Sequence, residues 1–418
     1  MPATSLLSDR PAVGRFVPSL LLLLTVFGPI SMDLYLPVLP ALTFELDAAT
    51  SVAQLTITAC LVGLALGQLI AGPLSDRFGR RTPLLIGLIA YVVMSVMCAL
   101  SPSIELLILA RVVQGLAGGV GIVIAQAAGR DLYSGGALIR FYGRLTVLAG
   151  LAAVVGPLLG GMLATIADWR GLFVFLATIG AGILTATLLG FRETLPMHRR
   201  TSGSFAEIRR DFRLLLADRV FVGAVLVTGF ANAAVFAYLA GATYVLQGIY
   251  GLTPQQYALA FGLNSAGFMV FGFLAARTAE RWSVRGTLVV GISMCGLAAA
   301  GLVIAGLTAT PLLVVVVSLL VLVSGVAVTT PPTTTLALAD YPQIAGTASS
   351  LLGLSRFAFG AVAAPLVGVA GAAAILPLGV VTLTAVVLAA TAYALLIARN
   401  TREADVPPAA PPTIAELV

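Results

Sequence analysis

Three ionisable side chains of this sequence stand inside long apolar runs: Asp33, Arg111 and Arg356. A charge at the centre of a membrane helix costs at least ~2.5–3.5 kcal/mol, so groups kept there usually serve function. Asp33 lies in Ser31-Met32-Asp33-Leu34-Tyr35-Leu36-Pro37, and Arg111 in Arg111-Val112-Val113-Gln114-Gly115. Both fall at comparable depth, in the outer halves of the first and fourth runs. Burial penalises a carboxylate, and a nearby guanidinium favours it. A conformational change that alters either balance makes the group take up or release a proton. Asp33 is therefore expected to be a proton-coupling carboxyl with Arg111 as its electrostatic partner; a static structural ion pair is the competing reading.

A second concentration of charge is Gly72-Pro73-Leu74-Ser75-Asp76-Arg77-Phe78-Gly79-Arg80-Arg81, between the second and third runs. Asp76 is expected to sit against a helix N-terminus, where the dipole stabilises an anion. The start of the eleventh run, near Gln343 to Thr347, is the candidate. Asp131, in Gly129-Arg130-Asp131-Leu132-Tyr133, is expected to accept an arginine from the same loop. Together Gly72, Asp76, Arg77, Gly79, Arg80, Arg81 and Asp131 read as a gate latch, with a merely topological role for the charges as the alternative. In the fifth run Gly156, Pro157 and Gly160, with Gly150, Ala152, Ala153 and Gly161, allow close helix approach and a bend. Gly262, Gly267 and Gly272 of the eighth run are the expected partner face, though ordinary packing explains the glycines equally well.

Other chemistries lack their residues. The 23 basic residues are all arginine, so no Walker-type lysine exists to bind a nucleotide phosphate. The sole histidine, His198, stands beside Arg199 and Arg200 in a polar stretch with no nucleophile or metal cluster. Cys60, Cys98 and Cys295 each sit alone in an apolar run and read as packing residues. No catalytic residue, metal site or cofactor is expected.

The elements that hold these groups follow from composition. Of 418 residues, 59% are hydrophobic and 10% charged, against about 25% charged in a soluble domain. Runs such as 16–39, 84–100 and 288–307 match the ~20 residues that cross a ~30 Å hydrocarbon layer. Twelve helices are predicted, at 17–39, 52–73, 82–101, 104–128, 141–165, 171–191, 220–244, 255–277, 286–307, 310–335, 346–370 and 373–397. The net charge of +6 could suggest a nucleic-acid partner, but its distribution argues otherwise. Alternating loops place twenty arginines on one side and only Arg170 opposite. By the positive-inside rule both termini and the central loop are cytoplasmic. The first run is too long for a secretory signal, contains Asp33 and lacks a small-x-small cleavage site.

The polar stretch 192–219, with seven arginines and four acids, divides the chain into six-helix bundles at 1–191 and 220–400, followed by a disordered tail at 401–418. Gly156-Pro157-Leu158-Leu159-Gly160 returns 208 residues later as Ala364-Pro365-Leu366-Val367-Gly368, and the 72–81 loop is echoed 204 residues on through Ala276, Glu280, Arg281 and Arg285. Parallel half-repeats around a central site are a transporter architecture.

At these residues the chain resembles the major facilitator superfamily, in its twelve-helix drug:proton antiporters. The 72–81 loop resembles the hallmark loop motif, Arg111-x-x-Gln114-Gly115 the fourth-helix motif, and Gly156-Pro157-x-x-Gly160-Gly161 the antiporter motif of the fifth helix. The stretches 32–37, 130–135 and 346–353 are similar to the bicyclomycin- and chloramphenicol-resistance (Bcr/CflA) branch. The resemblance implies an all-α membrane fold and proton-driven efflux of hydrophobic drugs by alternating access, with phenicols such as chloramphenicol foremost. Two positions depart from the pattern: Gln126 stands where arginine is common, and Arg356 where a neutral polar residue is usual. A fixed cation at 356 would disfavour cationic drugs.

An apolar pocket with a few polar groups is expected at mid-depth, lined by Asp33, Tyr35, Asn232, Phe236, Tyr238, Asn264 and Arg356. The expected partners are a small hydrophobic drug, protons and the lipid bilayer, without nucleic acid, for a monomer in the bacterial inner membrane. Proton-coupled uptake of a small metabolite is the alternative function; a membrane enzyme is disfavoured.

Overall fold

The computed structural model describes residues 16–133, 135–197, 200, 205–278, 283–308, 310–341, 344–368 and 374–399. Arg10, Arg15, His198, Arg199, Glu280, Arg281, Gln343, Arg402 and the 401–418 tail lie outside the described residues, as does the side chain of Arg140.

The described chain runs α1 (Phe16–Asp33), α2 (Leu39–Glu45), α3 (Thr50–Phe78), α4 (Arg81–Ala99), α5 (Ile104–Leu132), α6 (Gly135–Leu163), α7 (Trp169–Gly190), α8 (Phe205–Ala217), α9 (Arg219–Tyr244), α10 (Pro254–Thr278), α11 (Val284–Leu307), α12 (Leu312–Leu338), α13 (Ala345–Gly368) and α14 (Leu376–Ala392). Eleven of the described segments are long and apolar enough to cross a membrane, and every predicted helix overlaps one of the long helices. Polar caps start several of them. The Ser103 hydroxyl accepts from Leu106 N, Asp168 from Gly171 N, Asp218 from Val220 N and Ser283 from Gly286 N, satisfying first-turn donors that the helix cannot.

Two elements differ from the sequence expectation. The first helix, predicted to run to 39, ends at Asp33, and a 3-10 turn at Leu36–Val38 leads into α2. Pro37 and Pro40 lack the N–H groups that would bond the carbonyls of Asp33 and Leu36, so the α-helical ladder cannot continue. The polar stretch 192–219, expected as a loop, contains α8. Its Leu215 is buried and, with Phe212, packs on Phe221, Ala348 and Leu351 of the helices that follow.

Helices α1 to α7 pack among themselves, as do α9 to α14; α3 meets α13 and α6 meets α10 across the seam. Within the first set, small residues bring α3 and α5 into backbone contact. A Cβ on Gly63 would lie 2.7 Å from Leu116 N, and one on Gly119 would lie 2.6 Å from the Leu64 carbonyl. Such close approach is the usual basis of helix association in lipid. Gly262 of α10 faces Leu158 of α6 as expected, but Gly267 and Gly272 face Leu320, Ser324 and Ala327 of α12. The α10 glycines therefore serve two partners rather than α6 alone.

Candidate functional site

Asp33 closes α1 at the point where the prolines break the helix. It is 9% exposed, and among the described residues nothing donates a hydrogen bond to its carboxylate. Gly156 of α6 lies directly behind it: a Cβ built there would stand 3.0 Å from the Asp33 Cβ. One turn on, a Cβ on Gly160 would strike the Leu34 carbonyl, and one on Gly161 would stand 2.7 Å from the Ala258 Cβ of α10. Pro157 lies inside α6 between these contacts. The small residues of α6 thus gather the end of α1 and the start of α10 at one junction. Tyr238 of α9 and Tyr257 of α10, from across the seam, are within electrostatic reach of the Asp33 carboxyl, and so is Cys60 of α3 in its own half. The Tyr257 hydroxyl is buried without a hydrogen-bond partner.

Arg111 of α5 is fully buried. Its Nη1 donates to the Ser31 carbonyl at 3.2 Å and to Gln114 Oε1 at 2.7 Å. Gln114 in turn donates to Ser95 Oγ at 2.7 Å, and Ser31 is hydrogen-bonded to Tyr91. The guanidinium lies 4.5 Å from the Tyr35 ring centroid and 5.6 Å from that of Phe173, where ring quadrupoles offset part of its charge. The expected Asp33–Arg111 ion pair is not among those formed by the described residues. Instead Arg111 Nε and Nη2 have no acceptor among the described residues. Those two nitrogens form the side-on edge of the guanidinium, the fork that grips a carboxylate bidentately.

The residues expected to line one pocket separate into groups. Tyr35 is wholly buried among α3, α5 and α7, its hydroxyl 2.9 Å from Thr56 Oγ1, because its ring serves as the face beneath Arg111. Tyr238 accepts a hydrogen bond from Asn264 Nδ2 at 3.1 Å and stacks on Phe261, which places it with Asn264 on the Asp33 side. Asn232 donates to the Thr228 carbonyl at 2.9 Å. Phe236 packs on Phe357 and Gly360 of α13, with Arg356 nearby on that helix.

At the arginine-rich end the segment 72–81, expected as a loop, is the last turns of α3 and the Gly79–Arg80 turn into α4, and it is organised by Arg80, whose Nη1 meets Ser75 Oγ at 2.7 Å and Asp76 Oδ1 at 2.5 Å while Nε meets Asp131 Oδ2 at 3.0 Å. Asp131 accepts an arginine from the loop, as expected. Asp76 bonds Arg80 four residues on, and the helix start near Gln343 that it was expected to face lies partly outside the described residues. Gly79 has φ of +85°, a conformation that L side chains resist. Arg81 Nη2 donates to the Leu188 carbonyl, Arg77 lies over the Phe78 ring, and a Cβ on Gly72 would meet nothing within 4 Å. The sequence reading missed Glu193. Its carboxylate accepts the backbone N–H groups of Arg80, Arg81 and Leu195 and pairs with Arg200. Burial works against that charge, but these hydrogen bonds and Arg200 outweigh it and hold the carboxyl below the ordinary glutamate range. A lone acid just after a span, facing an arginine-rich loop, was the available signal.

Missed as well were the polar groups that join the two halves at the arginine-poor end. Thr243 Oγ1 donates to the Leu36 carbonyl at 3.0 Å and Gln247 Nε2 to the Pro37 carbonyl at 2.9 Å. Gln54 bonds the Ala240 carbonyl, Thr58 the Ala361 carbonyl and Gln255 the Gly161 carbonyl, while Thr43 meets the Tyr244 hydroxyl. The Leu36 carbonyl is one that Pro40 leaves without its α-helical donor, so the break in the first span supplies an acceptor for the seal.

Comparison with known proteins places this geometry. The family model described as Major Facilitator Superfamily matches residues 21–365. An uncharacterized MFS-type transporter, YdgK, of Bacillus subtilis is 35% identical, over 90% of this chain and 93% of its own length. A bicyclomycin resistance protein homolog of Haemophilus influenzae is 28% identical over 90% and 95%. A chloramphenicol resistance protein of Pseudomonas aeruginosa is 38% identical over 40% and 39%. Among solved structures, that of a D-xylose-proton symporter superposes with a TM-score of 0.73 at 16% identity, over 90% of this chain and 96% of its own, a likeness of fold.

Proposed function

The chain belongs to the major facilitator superfamily of membrane transporters, and from that premise we propose that it exports apolar drugs in exchange for protons, with Asp33 as the coupling carboxyl. The observation that carries this is the placement of Asp33: an embedded acid without a partner among the described residues, at the junction where α1, α6 and α10 meet across the seam. An ion left unpaired in such packing is costly. Proton binding and release are therefore tied to which packing the halves adopt. In the alternative arrangement the ionised carboxylate moves onto the open fork of Arg111, and the Tyr35 and Phe173 rings hold that fork in readiness. The Arg80 cluster, with Asp76 and Asp131, changes partners at the cytoplasmic side as the halves rock, and the seal around Leu36 and Pro37 closes the opposite face.

The names of the resistance relatives support drug efflux as the class. Uncharged phenicols are the first substrates to test, a reading supported by the chloramphenicol relative over part of the chain. The arginine distribution supports a reading in which both termini and the Arg80 cluster face the cytoplasm, and the proposal takes the chain to act as a monomer in a bacterial inner membrane. Each proton entering at 100 mV supplies ~2.3 kcal/mol, enough for roughly fiftyfold accumulation of a neutral drug.

Everted membrane vesicles with an acid interior test the class directly. Addition of chloramphenicol is expected to release protons from vesicles that contain the protein and not from vesicles that lack it. Drug uptake that proceeds equally after the gradient is collapsed would contradict antiport.

A further inference from the structure

Arg356 stands midway along α13, the one charged residue of that helix. Among the described residues it has neither an ion pair nor a hydrogen-bond acceptor, and its Nε is buried without a partner. Its position on the helix shows what it faces. Gly353, three residues before it, lies against Gln68 of α3, where a Cβ would stand 3.2 Å from Oε1; Gly360, four residues after it, lies against the Phe236 ring of α9. Residues three and four apart share a helix face. Arg356 therefore belongs to the stripe of α13 turned to the seam between the two halves. Phe357 adjoins it with its ring 6.1 Å from that of Phe236, and Asn232 lies one turn before Phe236 on α9, half-buried.

A fixed counter-ion would make this arginine a structural pair, and none is present among the described residues. Asp33 and the acids of the Arg80 cluster are engaged elsewhere or beyond ion-pair distance. Removing one partner of a buried pair is strongly destabilising because it strands a charge, and the fold holds such a charge on the face of α13 turned to α3 of the other half and α9 of its own. A planar guanidinium matches a carboxylate in fork geometry, and the adjoining Phe236 and Phe357 rings suit a flat apolar body. We propose that Arg356 is an anion-recognition residue, and that the transported molecules include aryl carboxylates, bound with the carboxylate on Arg356 and the ring against Phe357 beside it. This rests on the efflux reading only in taking the seam as the substrate path.

The test uses a matched pair of probes, 4-nitrobenzoate and uncharged 4-nitrobenzamide, bound to the purified full-length protein at neutral pH and followed by thermal shift over a concentration series. The wild type is expected to bind the carboxylate at least tenfold more tightly than the amide. In Arg356→Gln the preference should vanish while amide affinity stays unchanged, which also certifies the fold. Arg356→Lys, with the charge but not the fork, should fall between. A wild type with no preference for the carboxylate overturns the proposal, as does an Arg356→Gln protein that keeps the preference, which would move anion binding to the Arg111 fork. Asp33→Asn should retain the preference while losing gradient-driven accumulation, so failure of the coupling scheme is read separately from failure of this one.

Discussion

Gly156 of α6 lies behind Asp33 so closely that a Cβ added to the glycine would stand 3.0 Å from the Asp33 Cβ. The fifth-helix motif and the embedded acid are thus one structural unit, and the motif's smallest residue sets where the carboxyl can sit. Gly156→Ala is expected to insert and fold, with a modest loss of thermal stability, and to lower proton-driven transport about tenfold by displacing Asp33. Gly160→Ala meets the backbone carbonyl of Leu34 rather than a movable side chain, so it should cost more stability, about 1–3 kcal/mol of overpacking. Thermal unfolding in detergent alongside vesicle transport separates the two effects.

The Arg80 cluster makes a second expectation. Arg80 is 6% exposed in its side chain, while its acceptors Asp76 and Asp131 are 49% and 16% exposed. Arg80→Gln strands only one well-covered carboxylate, so the expected loss is about 1–3 kcal/mol rather than the 3–5 kcal/mol of a fully buried pair. Gly79→Ala, at φ +85° and ψ 168°, should add backbone strain of roughly 1–3 kcal/mol and press its Cβ on the Glu193 carboxylate. Chemical denaturation of the reconstituted protein measures both.

Glu193 gives the acid limb of stability its sign. Its carboxyl is held below the ordinary glutamate range in the folded chain, so its stabilising contribution is fully present above ~4.3, the value of an unfolded glutamate. That contribution is lost as pH falls through the lower, folded value. Melting temperature measured from pH 6 downward should drop below pH ~4.3 in the wild type, and less steeply in Glu193→Gln. Equal slopes would remove Glu193 from the loop's electrostatics.

The arginine-poor seal can be loosened without touching Asp33 or Arg111. Thr243→Val with Gln247→Leu deletes the donors to the Leu36 and Pro37 carbonyls. At about 1 kcal/mol for each hydrogen bond, the closed-to-open ratio should fall roughly thirtyfold. Spin labels at Asp47→Cys and Gly251→Cys, on the loops of opposite halves, should report a longer distance distribution in the double variant. An unchanged distribution would mean the seal is held by packing alone.

The long helices were legible because length and apolarity alone determine a membrane span, and those are properties of one segment. The break after Asp33 was carried by Pro37 and Pro40 but was masked by the apolar run that continues past them. Helix α8 was obscured because seven arginines and four acids over 192–219 hide the apolar period that buries Phe212 and Leu215. The embedded ions were found from residue type, whereas their partners were not. Tyr35 turned out to serve Arg111 as an aromatic face, and Thr243 meets Leu36 over 207 residues of chain. Neither relationship leaves a local pattern, because each is created when separate helices close on one another.

The central claim is that Asp33 couples protons to the substrate path, and counterflow compared with gradient-driven uptake tests it most directly. Asp33→Asn protein in proteoliposomes is expected to exchange labelled for unlabelled chloramphenicol at a rate near that of the wild type, while failing to accumulate the drug against a gradient when an inside-acid pH difference is imposed. Accumulation by the Asp33→Asn protein equal to that of the wild type under the same pH difference would contradict the account.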